Sequence, residues 1–96
     1  MKSEKFKMNR KVFQENITLG FEFARYVIEH PKFGEKIPEN ALVVLLPEYD
    51  PELSRVNLEL AKQQREKGQP VVHVHFKKLK PVASRLVKPR LEILES

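Results

Sequence analysis

ALVVLLPEYDPELSRVNLELAKQQREKGQPVVHVHF, residues Ala41–Phe76, is the stretch that decides the fold. Ala41–Leu46 is a short apolar run bounded by turn residues, the pattern of a strand buried on both faces. Asp50 stands where a helix N-cap is expected, with Pro51 at the first helical position and Glu52 in the first turn. The helix predicted from there carries a narrow apolar stripe of Leu53, Val56 and Leu60, with Ala61 at its edge. It runs to about Lys67, before Gly68 as the left-handed cap. Pro70 opens a second strand, Val71–Phe76, in which Val72, Val74 and Phe76 alternate with Val71, His73 and His75. Strand, helix and strand with short connections make a βαβ unit, so the two strands are expected to be parallel with a right-handed crossover.

Upstream, the periodicity predicts a helix over Met8–His30, stopped by Pro31. Phe13, Ile17, Gly20, Phe21, Ala24 and Ile28 share one face, while Val27, Phe23, Val12, Leu19 and Tyr26 continue round the cylinder. That apolar arc is about twice the roughly 100° that a surface helix needs. Lys32–Asn40, with Gly34 and Pro38, reads as a loop. Downstream, Lys77–Pro89 reads as irregular, and a third strand is expected at Arg90–Leu94. The expected architecture is a single α/β domain over residues 1–96. It has an N-terminal helix, the βαβ unit and a third strand, giving a small three-stranded sheet of order 2-1-3 covered by two helices. Residues 1–7 form a basic arm and 77–89 a basic irregular segment.

The chain of 96 residues is 41% hydrophobic and 32% charged, a globular rather than disordered balance. It has no cysteine, which excludes disulfides and thiolate metal sites. No apolar segment follows Met1–Arg10 as in a signal peptide, and the longest apolar run, Ala41–Pro47, is far short of the roughly 20 residues of a membrane helix. A cytoplasmic protein with no membrane partner is expected. The net charge of +5 divides into +4 over residues 1–11, −3 over 12–76 and +4 over 77–96. Lys77, Lys78, Lys80, Arg85, Lys88 and Arg90 are therefore candidates for contact with nucleic acid, together with Lys7, Arg10 and Lys11. No Phe or Tyr lies beyond Lys77, so such contacts would go to backbone phosphate without reading sequence.

In an open parallel sheet, ligands gather at the carboxyl end of the central strand, here Glu48, Tyr49 and Asp50. A phosphate cradle needs glycines and free N–H groups. This turn has no glycine, one N–H is removed by Pro51, and its carboxylates repel phosphate. A metal or an amine could bind Glu48 and Asp50, with Tyr49 as a wall. The plainer reading is a helix cap and a solvated carboxylate. His73 and His75 fall two apart on one strand and share a face, half of a metal site whose third ligand would come from His30, Glu48, Asp50 or another subunit. None of the four serines sits in a nucleophile elbow, and nothing calls for a cofactor.

The run Glu39–Leu60 (ENALVVLLPEYDPELSRVNLEL), with Ser84–Pro89 (SRLVKP) after it, resembles a small prokaryotic family, a domain of unknown function. The resemblance implies a compact prokaryotic protein and brings no activity, ligand or functional residue. From the residues alone, the leading expectation is a non-catalytic binding module forming a homodimer. Leu19, Phe23 and Tyr26 would form the interface, with Phe23 near its centre. Sequence-blind nucleic-acid binding through the basic ends is the second expectation. A metal or small-ligand site at the carboxyl end of the sheet is the third.

Overall fold

Two parallel strands form the sheet in the computed structural model, which describes residues 9–94. Strand β1 (Leu42–Pro47) pairs with β2 (Val71–Phe76) in a register from Leu42 opposite Val71 to Pro47 opposite Phe76. Helix α1 (Arg10–Glu29) precedes them, followed by a single helical turn, α2 (Pro31–Gly34). Helix α3 (Pro51–Gln64) connects the strands and packs along β1. The α/β class and the βαβ unit therefore stand as the sequence predicts.

Local chemistry sets the boundaries. The Asn9 side chain accepts a hydrogen bond from the Val12 N–H at 2.8 Å and starts α1. Pro31 then occupies the first position of α2, so the predicted loop begins with a helical turn. A Cβ at Gly34 would sit 2.8 Å from Val27 Cγ1, so α2 folds tightly against α1 only because no side chain is present there. Asp50 caps α3 by accepting from the Leu53 N–H at 3.1 Å. The helix ends at Gln64, three residues short of Lys67, and Gly68 follows with φ of +77°.

The three-stranded order 2-1-3 gives way to two strands, and the outer edge of β1 supplies the reason. The Leu42 N–H donates to the Pro70 carbonyl at 2.8 Å and the Glu48 N–H to the Phe76 carbonyl at 2.9 Å. In a parallel ladder alternate residues face alternate sides, so Val43, Leu45 and Pro47 turn their backbone groups away from β2. A third strand would have to pair there. Instead α3 reaches that edge: Ser54 Oγ donates to the Pro47 carbonyl and Asn57 Nδ2 to the Leu45 carbonyl, each at 2.8 Å. Asn57 is buried, and it exchanges two further hydrogen bonds with Asn16 of α1, at 2.8 and 3.0 Å. A side-chain hydroxyl and a side-chain amide thus occupy the place of the expected strand. Residues 77–94 form no regular element, and all of them are exposed.

Strand β1 is buried on both faces, with Val44 and Leu46 on one side and the fully enclosed Pro47 on the other. On β2 only one face is covered. Val72, Val74 and Phe76 are partly buried, whereas Val71, His73 and His75 are exposed.

Candidate functional site

Three surfaces carry the residues singled out by the sequence, and the first is an internal groove. Asn16, Leu19, Phe23 and Tyr26 recur at three- and four-residue spacing and so lie on one face of α1. The Asn16–Asn57 amide pair turns that face toward the sheet. Leu19 is only 4% exposed, and Phe23 and Tyr26 meet Phe33 of α2 edge-on at ring separations of 6.3 and 5.2 Å. Tyr26 also stacks on His30 at 3.9 Å. Leu19, Phe23, Tyr26 and Phe33, with Leu45, Val74 and Phe76 of the sheet, line a cavity of about 430 Å³ whose wall is continued by Lys78, Leu79 and Lys80.

The assignment of helix faces is therefore reversed from expectation. Of the residues expected at a dimer contact, Leu19 and Phe23 belong to the inner face, and Tyr26 at its end stays 46% exposed. The opposite stripe points outward. Phe13 and Ile17 are exposed there, Phe21 is 71% exposed and Ile28 77%. Gly20 lies in the middle of this stripe, and a Cβ added to it would meet no atom within 4 Å. The deciding signal was Asn16: a polar residue in register with Leu19, Phe23 and Tyr26 identifies the face that has an internal partner.

The carboxyl end of β1 forms the second surface. Asp50 is committed to the α3 cap, and Glu48 forms an ion pair with Lys77 at 3.6 Å. Tyr49 is half exposed and stands edge-on to Phe76 at 6.0 Å. Partial burial, followed by the charges of Asp50 and Glu15, raises its phenol above the usual tyrosine range. His73 and His75 project together from the exposed face of β2, with ring centroids 6.3 Å apart. Among the described residues no group of three His, Asp or Glu side chains could hold a metal ion. The geometry brings the two histidines together and supplies no third ligand beside them.

The third surface is the basic chain after β2. Lys77 stays near Glu48, Lys78 and Lys80 sit at the cavity, and Arg85, Lys88 and Arg90 project along the exposed segment. The six cations are spread along this stretch rather than gathered beside one element. Arg10 and Lys11 are exposed at the start of α1, while Lys7 and the basic arm 1–7 lie outside the described residues.

The model of a family of unknown function, DUF5647, matches residues 11–89. No curated protein and no solved structure matches the chain. The match spans α1 from Lys11 onward, α3, both strands and the whole of the basic segment 77–89, and the chain belongs to this family.

Proposed function

We propose that this member of a family of unknown function is a non-catalytic binding module that acts as a homodimer, joined through the outer face of α1. The supporting observation is the stripe of Phe13, Ile17, Phe21 and Ile28, four large apolar side chains left in solvent along one helix. Contiguous apolar patches of this kind mark interaction surfaces. Gly20 and Ala24 lie within the stripe and leave room for a second helix to approach closely. A two-fold axis through this stripe would pair it with itself, so that each contact occurs twice. Burying one Phe or Ile is worth about 1.5–3 kcal/mol before the costs of association.

Light scattering at micromolar concentration should give twice the 11.3 kDa chain mass. Phe21→Glu should restore the single-chain mass and leave the helical circular-dichroism signal unchanged, because Phe21 touches little of its own chain. Losing two Phe contacts per dimer should weaken association by a factor of about 10² or more. A native protein with the mass of one chain would refute the dimer.

A second reading, sequence-blind binding to nucleic-acid backbone, is supported by the exposed cations Arg85, Lys88 and Arg90 on one irregular stretch. The two readings predict different sensitivities. Phe21→Glu should leave nucleic-acid binding nearly intact, and charge removal at Arg85, Lys88 and Arg90 should leave the dimer intact.

A further inference from the structure

The outer edge of β2 is the one edge of the sheet that no side chain closes among the described residues. By the alternation of the ladder, Val71, His73 and His75 direct their N–H and C=O groups to that edge. The same chain carries a segment patterned as a strand and packed against nothing of its own. Over residues 90–94, Leu91 and Ile93 alternate with Arg90 and Glu92, and Leu91 is 83% and Ile93 75% exposed. Val82, Leu86, Val87 and Leu94 are also largely in solvent.

We propose that residues 90–94 of one copy add as a third strand to the outer edge of β2 in a second copy, in a reciprocal exchange of C-terminal arms. This inference rests on the self-association proposed above and names a second contact within it. Strand addition to an open edge draws affinity from main-chain hydrogen bonds and specificity from alternate side chains. If Leu91 and Ile93 fall on the side of Val72, Val74 and Phe76, they extend the apolar face of the sheet. Glu92 then falls on the opposite face, beside His73 and His75.

The path of the chain out of β2 favours a second copy over the chain's own edge. Lys78, Leu79 and Lys80 are held at the cavity on the α1 side, so the chain leaves β2 away from its open edge. Pro81 favours extended backbone at Lys80, and the thirteen residues 77–89 span at most about 40 Å.

The test is amide hydrogen exchange on the full-length protein, read residue by residue by NMR, beside its mass. Pairing at the outer edge should slow exchange at the Val71, His73 and His75 amides by roughly tenfold or more relative to Ile93→Pro, which cannot complete the ladder. The alternate amides, already bonded to β1, should change little. A mixed sample then separates the arrangements: a nitroxide on Glu92→Cys in an unlabelled copy should broaden residues 71–76 of a ¹⁵N-labelled copy. Broadening only when both labels share a chain would show the arm folding back on its own edge and overturn the exchange. A doubled mass with unprotected edge amides would overturn it too, while leaving the α1 dimer standing. A single-chain mass would remove both.

Discussion

Asn57 does more for this fold than its residue type announces. It satisfies the Leu45 carbonyl on the outer edge of β1, and it holds Asn16 so that α1 presents Leu19 and Phe23 to the sheet. Asn57→Leu leaves the Leu45 carbonyl and the Asn16 amide, both partly buried, without these partners, each worth about 1–3 kcal/mol. Urea titration should show a loss of about 2–4 kcal/mol at an unchanged slope, against about 1 kcal/mol for Asn16→Ala, whose loss leaves the Leu45 bond in place. Equal losses would mean that the amide pair rather than the strand edge carries the stabilisation. Little of this was legible beforehand. An Asn inside a predicted amphipathic helix reads as part of its polar face, and only the backbone of another element turns it into a core residue.

Among the elements, the sequence was informative wherever one segment determined its own conformation. The Asp50-Pro51 cap, the alternation of Val71–Phe76 and the apolar run of β1 all produced the expected structure. It misled where two elements compete for one partner. The apolar character of β1 was read as a strand with neighbours on both sides, but α3 supplies the second neighbour through Ser54 and Asn57. The broad apolar arc of α1 had the same ambiguity, because periodicity gives the faces and not which one turns inward. The α1–α2 joint offers a check on packing at this scale. Gly34→Ala places a methyl group against Val27 Cγ1, and overpacking of this kind costs about 1–3 kcal/mol. Thermal unfolding should show the loss, and Val27→Ala in the same chain should recover most of it. If the double variant is no better than Gly34→Ala alone, the close contact is not what requires a glycine.

Across the whole molecule, charge separates an acidic body from a basic C-terminal stretch, a division fully readable in the sequence. If that stretch also meets nucleic acid, four to six phosphate contacts should give a log–log salt slope of about −4 to −5 on duplex DNA, whatever the base sequence. A filter-binding titration without affinity at low salt would dismiss that reading. The sheet itself has a polarity of another kind. Two open edges would let one molecule join a neighbour on either side, and each addition would present a fresh edge for the next, the route by which strands grow into fibrils. Ser54 and Asn57 terminate one side, so growth by edge pairing stops after a single step. A protein with so little sheet can leave a strand edge open in a crowded solution because its other edge ends the polymer before it begins.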